Sequence, residues 1–136
     1  MLRTLIDLIR GNRGNAVVEF ALVLPLLLTV CFGVTEFGRA WMTMNILTSA
    51  AREGVRLAAV TGPDTAAVEQ RVRAVCDAAG VEPSSITVVP PDPMDPDRRV
   101  SVTVETDFVV IPGRFLLAFN GTIPLRTTSI MRHEAL

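Results

Sequence analysis

Residues 13–28 read RGNAVVEFALVLPLLL, and one glutamate, Glu19, interrupts an otherwise apolar run that continues to Thr35. A stretch of about 20 apolar residues is what a helix needs to cross a bilayer. A carboxylate at the centre of such a span costs roughly 2.5–3.5 kcal/mol, less near an interface, and marks a functional position. Glu19 stands five residues after Gly14, which closes the leader MLRTLIDLIRGNRG (1–14) with its three Arg and one Asp. Excess Arg on this short flank predicts that the N-terminus stays cytoplasmic and the rest of the chain lies outside. The apolar run ends in GVTEFGRAW (33–41), not in small residues of the A-x-A kind. An ordinary secretory cleavage site is therefore disfavoured, and the apolar helix is expected to be kept.

The composition narrows the function. With 136 residues the chain is one domain's worth; 49% are hydrophobic and 20% charged, with much of the apolar content in the first 60. Thirteen basic residues, all Arg, face fourteen acidic ones, and this balance offers no basic patch for nucleic acid. Cys31 and Cys76 have neither metal nor redox spacing and read as small apolar fillers. His133 lacks a Ser, Cys or Asp constellation and reads as a surface residue. PPDPMDPDRR (90–99) holds three Asp among four Pro, without the ligand pattern or bidentate Glu of a calcium loop, and reads as a stiff solvated connection. AREGVR (51–56) has no nucleophile, metal cluster or phosphate loop. The expectation is a protein without catalysis, metal, cofactor or small-molecule substrate.

Outward from the apolar run, one helix is expected to continue to Val60. Pro25 removes a backbone donor and should break or loosen it locally, which neighbouring helices in a membrane can compensate. Beyond Thr35 the pattern turns amphipathic: Phe37, Trp41, Met44, Thr48, Ala51, Val55 and Ala58 recur at steps of four and three. This stripe is expected to pack on a sheet, the small Ala members allowing close approach. VTGPD (60–64) stops the helix. A second helix is expected over 65–79, N-capped by Asp64, with Val68, Val72, Val75 and Ala79 on one face and Gly80 as its stop.

Three strand candidates follow within 84–134. SSITVVP (84–90) is short. RRVSVTVETDFVVI (98–111) alternates, with Val100, Val102, Val104, Thr106 and Phe108 on one face and Ser101, Thr103, Glu105 and Asp107 on the other. TIPLRTTSIMRHE (122–134) sets Ile123, Leu125 and Met131 on one side, and Pro124 points to an edge or bulge. PGRFLLAFNG (112–121) reads as a helical turn or a loop over the sheet edge, and Asn120-Gly121-Thr122 as turn chemistry before a glycosylation site. The expected class is α+β: a long helix, a short helix and a three-stranded, mainly antiparallel sheet whose covered face lies on the first helix.

Gly14 followed at five residues by Glu19, behind a basic leader and ahead of an apolar helix, resembles the class III signal of type IV pilin-like proteins. The RGxxxxEFAL start, Pro25, EFGRA (36–40) and AREGVRLAA (51–59) together resemble the TadE-like family of the tight-adherence (Tad, Flp) pilus system. The resemblance implies a pilin-like fold and a minor pilin or pseudopilin acting in pilus assembly or initiation. It implies cleavage between Gly14 and Asn15 by a prepilin peptidase, which makes Glu19 the fifth residue of the mature chain. Glu19 then becomes the assembly carboxylate, pairing with the new α-amino group of a neighbouring subunit. The implied organisation is a leader (1–14), a transmembrane and assembly helix (15–35) and an extracytoplasmic domain (36–136) with helices at 36–60 and 65–79. The implied partners are the peptidase, other pilin-like subunits including a second TadE-like protein, and the bacterial inner membrane, crossed once with the C-terminal domain periplasmic or incorporated in the pilus. Two alternatives stay open: an uncut bitopic scaffold or sensor, and a pseudopilin of a type II-like secretion system.

Overall fold

The computed structural model describes residues 12–61, 64–92, 94, 96–111 and 121–133, with side chains from residue 16 on. Helix α1 (Asn12–Thr61) is followed by helix α2 (Thr65–Ala78) and strands β1 (Ser85–Val89), β2 (Arg99–Val109) and β3 (Thr122–Arg132). The chain divides into two units, Met1–Phe37 and Gly38–Leu136. The α+β class expected from the sequence is the observed one. The leader up to residue 11 and the apolar stretch 112–120 lie outside the described residues.

In the first unit every side chain from Ala16 to Thr35 is exposed. The helix carries on through Pro25, where the sequence predicts a break or loosening. A proline deletes one donor and leaves the ladder on either side able to form. Thr29 donates its hydroxyl to the Pro25 carbonyl at 2.8 Å, and Thr35 does the same to Cys31 at 2.9 Å. Both hydroxyls are thus satisfied within the helix, as surroundings without water require.

The second unit has the sheet order β1-β2-β3, antiparallel throughout. In β2, Val100, Val102, Val104, Thr106 and Phe108 are all buried, so the period-two pattern does set the inward face. Thr103 on the opposite face is buried as well, its hydroxyl 2.9 Å from that of Thr128. A central strand is flanked by side chains from both neighbours, Thr87 and Thr128 here, and alternation along one strand does not record this. β3 lies at an edge, where Pro124 removes no ladder bond that an inner strand would need.

α2 begins and ends on local chemistry. Asp64 caps it, accepting from the Ala67 amide at 3.2 Å. At the other end Gly80 adopts φ +70°, with Gly80 N–H donating to the Asp77 carbonyl and Val81 N–H to the Cys76 carbonyl, both at 3.0 Å. These two bonds form a Schellman motif, and glycine supplies the left-handed residue it requires. Val68, Val72 and Cys76 form the buried face of α2.

The core joins α1, α2 and the sheet. On α1 its buried residues are Leu47, Ala50, Ala51, Val55, Ala58 and Ala59. This corrects the expected stripe. Ala51, Val55 and Ala58 belong to it, and Met44 and Thr48 are half-buried, but Phe37 and Trp41 keep 69% and 62% of their surface exposed. The seam used by the fold is small rather than aromatic, and Gly54 shows why. A Cβ at Gly54 would stand 2.5 Å from Val72 Cγ2 and 3.3 Å from Val102 Cγ1. At Gly54, α1 is therefore held against α2 and the sheet at a separation that leaves no room for a side chain.

Candidate functional site

The apolar half of α1 carries the residues singled out by the sequence. Its backbone is helical from Asn12, so Gly14 and Asn15 sit in the first turns, and side chains are described from residue 16 on. Glu19 follows on the exposed surface, among Val17, Val18, Phe20 and Leu22, which are all exposed. Between Ala16 and Thr35 it is the one charged residue. Ala16–Thr61 contains a stretch long and apolar enough to cross a membrane, and none of that stretch is buried within the chain. A soluble protein rarely exposes a contiguous apolar surface of this kind, and such a surface suits lipid or another chain. The helix thus fits a single-pass membrane protein.

Polar contacts among the described residues of the second unit tie its elements together. Arg71 of α2 donates to Glu53 of α1 at 2.8 Å, holding the Glu53 carboxyl below its ordinary range through the hydrogen bond and the charge of the guanidinium. No helical spacing betrays this pair in the sequence, because the partner lies eighteen residues away on another helix. Glu105 pairs with its cross-strand neighbour Arg126 at 3.1 Å. The Arg39 guanidinium lies 5.1 Å from the centre of the Phe108 ring. The Thr106 hydroxyl donates to the Glu82 carbonyl at 2.6 Å, tying the approach to β1 onto β2.

Cys31 and Cys76 are both free, Cys31 exposed and Cys76 buried. Burial is the main cause raising the Cys76 thiol's pKa, with Asp77 adding to it, so the thiol stays protonated as a small apolar filler. Among the described residues no group of three His, Cys, Asp or Glu side chains is placed to hold a metal ion.

An exposed apolar helix carrying a single carboxylate, followed by a small α+β unit, fits a single-pass membrane protein. Residues 14–56 match the family model described as TadE-like protein, just under a third of the 136-residue chain. Over that segment the chain is similar to TadE-like proteins, and the matched segment opens at Gly14 and includes Glu19, Pro25 and Gly54. No curated protein and no solved structure matches the chain.

Proposed function

We propose that this chain is a non-catalytic minor pilin or pseudopilin that takes part in assembling or initiating a Tad-type pilus used for adhesion. A prepilin peptidase cuts between Gly14 and Asn15, leaving the helix in the inner membrane with the domain on the far side. Glu19 then pairs with the α-amino group of an adjacent pilin-like subunit. The observation that carries this reading is Glu19 itself, the one charge on an uncovered apolar helix, five residues beyond the glycine at which the TadE-like match opens.

The physics supports that role. In lipid a lone carboxylate is unfavourable, and an opposite charge at hydrogen-bonding distance removes much of the penalty. An amine created only by cleavage makes the pairing conditional on processing and fixes one axial register between neighbouring helices. The exposed apolar residues around Glu19 then pack against other subunits. The folded domain of residues 38–136 exceeds what a bulk Flp-type filament subunit carries, which favours a minor subunit over a shaft subunit.

The test is intact mass and N-terminal sequencing of the membrane-extracted protein, produced with and without prepilin peptidase. A chain starting at Asn15 only when the peptidase is present is the expected result. A chain starting near Met1 in both preparations would remove the amine partner of Glu19 and leave an uncut bitopic protein.

A further inference from the structure

α2 packs beside β1, and among the described residues the groove on the other flank of the sheet is left open. This groove, of about 590 Å³, runs between α1 and β3 and is lined by Arg52, Glu53 and Arg56 from the helix and Ser129, Ile130 and Met131 from the strand. β3 is an edge strand of 11 residues, so along its outer side alternate N–H and C=O groups have no strand to pair with among the described residues. Ile130 and Met131 remain 62% and 42% exposed there. Long edge strands with exposed apolar residues pair with other chains unless something prevents it.

The charges select the partner. Glu53 is engaged by Arg71, with a smaller contribution from the charge of Arg56, whereas Arg52 and Arg56 make no side-chain hydrogen bond or ion pair within 4 Å among the described residues. β3, TIPLRTTSIMR, holds two Arg and no carboxylate. A second copy pairing edge to edge would bring like charges together, which opposes self-association through this flank. The spacing suits an extended acidic chain. Residues four apart on a helix rise about 6 Å, close to the roughly 6.8 Å between alternate residues of a strand.

We propose that the open edge of β3 and the Arg52–Arg56 rim form a docking site for an extended acidic segment of a different protein. The segment adds as a fourth strand. Its main chain pairs with β3, and carboxylates two residues apart meet the two guanidinium groups. The site lies entirely within residues 38–136 and does not depend on cleavage at Gly14.

The probe is a fluorescein-labelled ten-residue peptide of alternating glutamate and valine, titrated against the full chain in non-ionic detergent. Saturable binding is expected, weakened roughly tenfold or more in R52Q/R56Q and little changed in R73Q. Methylating alternate backbone amides of the peptide should abolish binding, and the unmodified peptide should slow amide hydrogen exchange across residues 127–132. Equal binding by the methylated peptide, or an R52Q/R56Q variant that folds and binds normally, would overturn the proposal. So would binding of phosphatidylglycerol nanodiscs through Arg52 and Arg56 with none of the peptide, or self-association of the free protein lost in R52Q/R56Q.

Discussion

The two halves of α1 belong to one helix and obey different packing rules. Before Phe37, large apolar residues point outward in all directions and none of the membrane-length stretch is buried. After Gly38, burial concentrates on a narrow seam of Leu47, Ala50, Ala51, Val55, Ala58 and Ala59, with Gly54 at its tightest point. The first half finds no cover among the described residues, so its bulky residues and single carboxylate all face outward. The second half is enclosed by α2 and the sheet, where large side chains would hold the layers apart. The glycines show the same contrast: a Cβ meets nothing within 4 Å at Gly33 or Gly38, and three valine side chains at Gly54.

The sharpest way to break this comparison is to remove the charge from the outward half. Glu19→Ala should leave processing and the thermal unfolding of the domain unchanged while pilus incorporation falls on the order of a hundredfold or more, as loss of one partner of a buried pair costs about 3–5 kcal/mol. Wild-type pilus levels, read by immunoblot of sheared fractions, would deny Glu19 its assembly role. Next in size is Gly54→Val, which forces side-chain atoms into Val72 and Val102 and should destabilise the domain by about 1–3 kcal/mol or more, seen in urea unfolding. Unchanged stability would mean that α1 is not held at the separation described here.

Smaller effects sharpen the comparison at its margins. Asp64→Ala removes the cap of α2 and should cost about 1 kcal/mol, with faster exchange of the Ala67 amide. Gly38→Ala should act in the opposite direction to Gly54→Val, stabilising the helix by roughly 0.5–1 kcal/mol, because the new methyl group meets open space. The smallest effect concerns Glu53, whose carboxyl pKa is lowered in the folded protein by Arg71. Its contribution is present above the ordinary carboxylate range and is lost as pH falls through the depressed folded value. Melting curves of wild type and Glu53→Gln should therefore differ at neutral pH and converge in acid; a difference that persists in acid would assign the effect to packing.

Much of the secondary structure was legible because its signals are local. Asp64 and Gly80 bound α2, the alternation from Val100 to Phe108 marks the inward face of β2, and Pro124 falls on an edge strand. The seam of α1 was only partly legible. Phe37 and Trp41 have the right spacing and the greatest hydrophobicity, and so draw a stripe through residues that the fold leaves exposed. Leu47, Ala50, Gly54 and Ala59 carry little hydrophobic signal between them beyond one leucine, and what recruits them is the distance between three layers. Thr103 shows the same limit, since its burial comes from strands on either side of it.

The sequence by itself determined the long helix, its apolar first half, the isolated Glu19 behind Gly14, and the number and order of the elements after it. Each follows from hydrophobic length, periodicity or capping chemistry that neighbouring residues supply. Only the tertiary structure decided which face of α1 is buried, why residue 54 has no side chain, that Glu53 belongs to Arg71, and that β3 leaves one flank of the sheet open among the described residues. Those outcomes depend on close packing among α1, α2 and the sheet, whose contacting residues are brought together by folding alone.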